Sequence, residues 1–163
     1  MKTLLLMRHA KSSWKQSGLA DRERPLNKRG KRDAPRMGEW LRRQDLVPEW
    51  VVSSAAKRAR ETAQRVVEAA GYDGEIVCLE QLYGAEPSQY LAALRVVPER
   101  VGRALLIGHN PGLEDLLELL AGRWERLPTA AIAHLLVPTD RWEYVRSDGS
   151  AQLVQVWRPR ELP

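Results

Sequence analysis

Leu4-Leu5-Leu6-Met7 is apolar without a break and then stops at Arg8-His9, with small and hydroxylic residues and one lysine following through Ser13. A short continuous apolar run bounded by polar residues suits a strand buried on both faces. Burial on both faces requires layers above and below the sheet, which narrows the fold to an α/β type. Ala104-Leu105-Leu106-Ile107-Gly108 repeats the arrangement and ends at His109-Asn110-Pro111-Gly112. Open α/β sheets place their ligands beyond the carboxyl ends of the strands. Each of these two strands delivers a histidine to that edge, so His9 and His109 can face one another across a crevice.

Further strands are expected at Trp50–Ser53, Ile76–Leu79 and Ala131–Val137. The spacing of apolar residues predicts helices over Lys31–Gln44, Arg58–Ala70, Pro87–Val96 and Pro111–Ala121. Pro35 falls near the first turn of the first helix and Pro111 at the first position of the last, where proline is tolerated. Gly71 and Gly122 close the second and fourth helices. Residues 10–30 are polar, contain Gly18, Pro25 and Gly30, and read as a long loop over a site. Trp142–Arg146 and Leu153–Trp157, joined through Ser147-Asp148-Gly149-Ser150, predict a hairpin. Strands alternating with helices give an α/β domain with a largely parallel sheet, and 163 residues fit one domain, 1–163.

Composition removes several function classes. The net charge is +5, but basic and acidic residues are interspersed and aromatic residues lack the pattern of an RNA-binding strand, so no nucleic-acid partner is expected. No apolar run approaches the roughly 20 residues of a membrane span, and no secretory signal precedes Arg8. Cys78 is alone, so no disulfide framework exists and a cytoplasmic location is expected. With three histidines and one cysteine lacking a close ligand pair, no metal site is expected. No glycine-rich phosphate loop is present, and Ser53-Ser54 lacks the glycine-flanked turn of a hydrolase nucleophile. No cofactor is expected.

The residues that remain fit phosphoryl transfer. A histidine attacks phosphorus only through an unprotonated ring nitrogen, and nearby arginines disfavour imidazolium. Arg8 and Arg58 can hold His9 neutral while gripping phosphate oxygens in bidentate fashion, where negative charge concentrates in the transition state. Cationic His109 would add a donor, and the amides of Asn110 to Leu113 at a helix start would extend the anion site. Lys11 and Ser12 can reach the same place. Taken singly, each histidine reads more simply as a structural residue, and His134, inside an apolar strand, keeps that reading.

Arg8-His9, Arg22 through Gly30, Ser53 through Ala63 and Gly108-His109 appear in the order of the histidine phosphatase superfamily. The chain resembles its short, SixA-type phosphohistidine phosphatase branch most closely. Ala10 stands where the family usually has glycine, which a negative φ tolerates. The resemblance implies a phosphoglycerate mutase-like fold, a three-layer α/β/α sandwich around a mostly parallel sheet. It also implies His9 as nucleophile, with Arg8, Arg58 and His109 as the phosphate pocket; Arg58, four before a threonine, is selected over Arg60. Glu80, in Glu80-Gln81-Leu82-Tyr83-Gly84, matches a stretch of the mutase branch that supplies a general acid, with Glu86 as a second candidate. The expected activity is metal-independent hydrolysis of protein phosphohistidine by a monomer, through a covalent intermediate. The alternatives are a phosphatase or mutase for a small phosphoester, and a phosphate-binding module without turnover.

Overall fold

The computed structural model describes residues 1–163. In chain order the elements are β1 (Lys2–Arg8), α1 (Lys28–Arg43), β2 (Trp50–Ser54), α2 (Lys57–Ala70), β3 (Ile76–Leu79), α3 (Pro87–Arg95), β4 (Arg103–Gly108), α4 (Gly112–Ala121), β5 (Ile132–Val137) and β6 (Gln152–Trp157). The strands form one sheet in the order β3-β2-β4-β1-β5-β6. β3, β2, β4 and β1 run parallel, and β5 and β6 complete the sheet antiparallel.

The apolar strands feed both faces alternately. Leu4 and Leu6 of β1, with Ala104 and Leu106 of β4, pack with α3 and α4 against Tyr90, Leu94, Leu113 and Leu117. Leu5, Met7, Leu105 and Ile107 point the other way, toward Met37 and Leu41 of α1 and Ala63 and Val66 of α2. This is the three-layer α/β/α arrangement with the mostly parallel sheet at its centre. Gly71 and Gly122 take left-handed φ values of 80° and 68° at the ends of α2 and α4, as their positions imply.

The expected hairpin is not formed. Trp142–Tyr144 makes a single helical turn instead, and β6 pairs with β5. The indole of Trp142 is fully buried and donates from Nε1 to the Val101 carbonyl at 2.7 Å. Sinking that large ring with its N–H satisfied outweighs an exposed strand pairing. α1 also begins earlier than its apolar spacing indicates, because Asn27 caps it by accepting from the Gly30 amide at 2.9 Å. Pro35 consequently lies well inside the helix rather than near its first turn. Pro111 is the residue before α4, not its first position.

Candidate active site

β1 and β4 are parallel neighbours with Arg8 opposite Gly108 at their carboxyl ends, so the next residues, His9 and His109, emerge at one edge. The His9 amide donates to the Gly108 carbonyl at 3.0 Å, continuing the ladder by a step. The two rings converge, with centroids 5.1 Å apart. A strained residue secures this edge. Ala130 has a φ of 66°, and its amide is shared by the Arg8 and His9 carbonyls at 3.1 and 3.0 Å. A left-handed conformation costs an L-residue roughly 1–2 kcal/mol, offset here by giving two strand-end carbonyls a donor.

The imidazole of His9 is fixed in one tautomer. Its Nδ1 lies 2.7 Å from the Ala10 carbonyl, which can only accept, so Nδ1 carries the hydrogen and the lone pair is on Nε2. Burial, reinforced by His109, Arg58 and Arg8, pushes the His9 pKa down to about 3 against the opposing pull of that carbonyl. His9 is therefore a neutral base at physiological pH. Ala10 is fully buried and lies outside the left-handed region. Its amide donates to Thr62 Oγ1, which donates in turn to the Arg58 carbonyl at 2.7 Å, tying the end of β1 to α2.

The first turn of α2 presents Arg58, whose Nη1 and Nη2 donate to the carbonyl and carboxylate of Asp21 at 2.7 and 3.0 Å. Arg24 Nη1 reaches the other oxygen of the same carboxylate at 2.9 Å, and the Tyr83 hydroxyl donates to it as well. The Tyr83 hydrogen bond, with those of Arg24 and Arg58, holds the Asp21 carboxyl well below the usual carboxylate range. Asp21 is thus an ionised anchor for the arginines. Arg24 also donates to Ser12 Oγ at 2.6 Å and lies over the Trp14 ring, 3.1 Å from its centre.

Arg8 Nη1 donates to the Leu127 carbonyl at 3.3 Å, while its buried Nε–H has no partner. Asn110 Nδ2 donates to the same carbonyl at 2.8 Å. His109 Nε2 sits 2.7 Å from Ser54 Oγ, and its buried Nδ1 is unpartnered. Burial first, then Arg58 and Arg8, lowers the His109 pKa to about 4. The His109 amide donates to the Tyr90 hydroxyl at 3.0 Å. A Cβ at position 108 would come within 2.5 Å of that hydroxyl, which is why glycine ends β4.

Arg8, Arg24, Arg58, Lys11, both histidines, Asn110 and the hydroxyls of Ser12 and Thr129 line a cleft of about 250 Å³, and the Asp21 carboxylate meets two of those arginines. Of the residues singled out from sequence, Arg8, His9, Lys11, Arg58, His109 and Asn110 all line it. Glu80 does not: it is exposed and its carboxylate is paired with Arg22. Glu86 is exposed at the start of α3. Arg60 turns to the Ala55 carbonyl, and His134 stacks on Trp157 away from the cleft. The Leu113 amide is spent on the His109 carbonyl. Sequence reasoning passed over Asp21, took Arg24 only as part of the family-like loop segment facing water, and considered Ser54 only to reject it as a hydrolase nucleophile. Only Ser54 carried a usable signal, its place at the carboxyl end of β2 beside β4. No group of histidine, cysteine and carboxylate side chains is clustered as a metal ion would need.

Residues 4–83, the stretch holding Arg8, His9 and Arg58, match the model of the histidine phosphatase superfamily (branch 1). A structure from Agrobacterium tumefaciens, described as a candidate phosphohistidine phosphatase SixA, superposes with a TM-score of 0.82 at 27% identity, over 97% of this chain and 98% of that one. A SixA candidate from Nakamurella multipartitia gives 0.84 at 28% identity over 97% and 96%. The chain belongs to the histidine phosphatase superfamily. An uncharacterized protein of Mycobacterium tuberculosis is 36% identical over 94% of this chain and the whole of its own length. Membership of the histidine phosphatases and the SixA-type neighbours support phosphatase activity.

Proposed function

We propose that this histidine phosphatase removes phosphoryl groups from protein phosphohistidine, through a covalent intermediate on His9 and without a metal ion. His9 Nε2 attacks phosphorus while the bond from phosphorus to the substrate imidazole breaks. The departing ring keeps the electron pair and carries its own proton. Arg8, Arg58 and Lys11 hold the phosphoryl oxygens as charge builds on them. Water then attacks the phosphohistidine. His109 takes the water's proton at Nδ1 while Ser54 accepts from Nε2–H. Inorganic phosphate leaves, and the lone pair returns to His9 Nε2.

The observation that carries this reading is that the site offers no carboxyl group free to donate a proton: Asp21 is held ionised by Tyr83, Arg24 and Arg58, and Glu80 is committed to Arg22 on the surface. An alkoxide leaving group needs a proton donor poised beside it. An imidazole leaving group does not. The discriminating experiment compares a histidine-phosphorylated peptide with an alkyl phosphate, using labelled phosphate and an alkaline quench that preserves phosphohistidine. Label should appear on His9, the peptide should turn over far faster, and Glu80→Gln should change its rate by less than about twofold. Equal or faster turnover of the alkyl phosphate, with a large loss in Glu80→Gln, would instead establish a small-molecule phosphoester phosphatase with Glu80 as acid.

A further inference from the structure

A second cleft, of about 280 Å³, adjoins the first and shares Thr129 with it. Four arginines line it: Arg29 from the first turn of α1, Arg126 from the segment before β5, and Arg158 and Arg160 after β6. The wall between the clefts is residues 126–129. On one side its Leu127 carbonyl receives Arg8 and Asn110, and on the other Arg126 faces the arginine cleft. The Lys11 backbone, on the catalytic side, packs against Gly30, next to Arg29. Cationic groups thus stand on both sides of Thr129, with Glu161 the one carboxylate on the lining of the arginine cleft.

The mechanism uses none of these four arginines. Arg126 and Arg160 are exposed and form no ion pair. Arg29 and Arg158 are already paired, with Asp33 at 3.6 Å and with Glu125 and Glu161 at 3.2 and 3.5 Å, which leaves Arg126 and Arg160 as the free cations of the cleft. Two tryptophans, one lining the catalytic cleft and one close in sequence to Arg126, are also open to solvent. Trp14, on the wall of the catalytic cleft, is 74% exposed, and Trp124, two residues before Arg126, is 53% exposed. Exposed tryptophan beside arginine is the composition of protein-binding hot spots, not of a pocket for a small ligand.

We infer that the arginine cleft docks an acidic surface of the phosphoprotein, placed beside its phosphorylated histidine. This rests on the proposed phosphohistidine activity and names the kind of protein that activity selects. Carboxylates seated on Arg126 and Arg160 speed encounter and orient the substrate but touch none of the reacting atoms.

The test pairs wild type with the double variant Arg126→Ser/Arg160→Ser on three substrates: phosphoramidate, a phosphohistidine peptide with glutamates flanking the histidine, and the same peptide with glutamines. Wild type should prefer the glutamate peptide, and added salt should erase that preference. The double variant should lose about tenfold in kcat/KM on the glutamate peptide alone. Its rates on phosphoramidate and the glutamine peptide should be unchanged, which also reports that the fold is intact. Equal loss on all three, or no loss on the glutamate peptide, overturns the docking surface. Failure of wild type to turn over phosphoramidate or either peptide overturns the activity itself, a separate result. Inhibition of wild type by a polynucleotide that exceeds inhibition by polyglutamate would assign the cleft to nucleic acid instead.

Discussion

At the end of β1 a backbone carbonyl holds the imidazole of His9, whereas at the end of β4 a hydroxyl holds that of His109. The strands are parallel neighbours, the rings are in contact and burial depresses both pKa values, so the environments are otherwise close. A carbonyl can only accept, which leaves His9 a single tautomer with its lone pair always on Nε2. A hydroxyl can donate or accept, so Ser54 lets His109 exchange which nitrogen carries the proton. The first restraint suits a nucleophile, which needs its electrons in one place. The second suits a group that passes protons.

The sharpest way to break this contrast is to remove each ring in turn. His9→Ala should abolish both turnover and labelled intermediate, measured by the alkaline-quench assay. His109→Ala should lower turnover by about 10²–10³ and yet retain label on His9, because it removes the proton acceptor and leaves the attacking nitrogen. Label lost in His109→Ala but kept in His9→Ala would reverse the assignment.

Arg58→Ala should cost a similar 10²–10³ in kcat/KM, since it removes a guanidinium that serves both histidines. Ser54→Ala should be milder, about tenfold in kcat, with KM little changed and the acid side of the pH profile displaced. If Ser54→Ala altered KM alone, the hydroxyl would be shaping the pocket rather than handling a proton.

A separate effect is on stability. Both folded-state pKa values, about 3 for His9 and about 4 for His109, lie below the unfolded value of about 6.5. Between those limits the unfolded chain binds protons that the folded chain refuses, so stability rises with pH across that window. The melting temperature should fall as pH drops from about 6.5 toward 4, and His9→Asn should flatten the curve more than His109→Asn does. A profile that is level through this range would mean that the rings are less desolvated than the structure shows.

Much of this was legible in the chain itself, for a physical reason. Leu4 to Met7 and Leu105 to Ile107 are apolar because both faces of their strands are covered, and that pattern is local. Arg8 and His9 could be placed because they follow such a strand directly. Asp21 and Arg24 could not. They reach the site only when the loop after β1 folds back, through the bridge between Ser12 and Leu26 and the Arg24 bond to Ser12, and nothing in Asp21-Arg22-Glu23-Arg24 tells the inward arginine from the outward one. Glu80 illustrates the converse. Its neighbours match a known motif, but its side chain answers to Arg22, fifty-eight residues earlier. The start of α1 and the turn at Trp142 were missed because a cap and a buried indole overrode periodicity.

The sheet order has one more consequence. β4 and β1 are its innermost pair, with β2 and β3 on one flank and β5 and β6 on the other. Fraying spreads inward from the rims of a structure, and β6 is largely exposed. Amide exchange should therefore reach the outer strands long before it reaches Arg8 or Gly108. The protein can breathe at its margins while the chemistry stays assembled, and only wholesale unfolding should part the two rings.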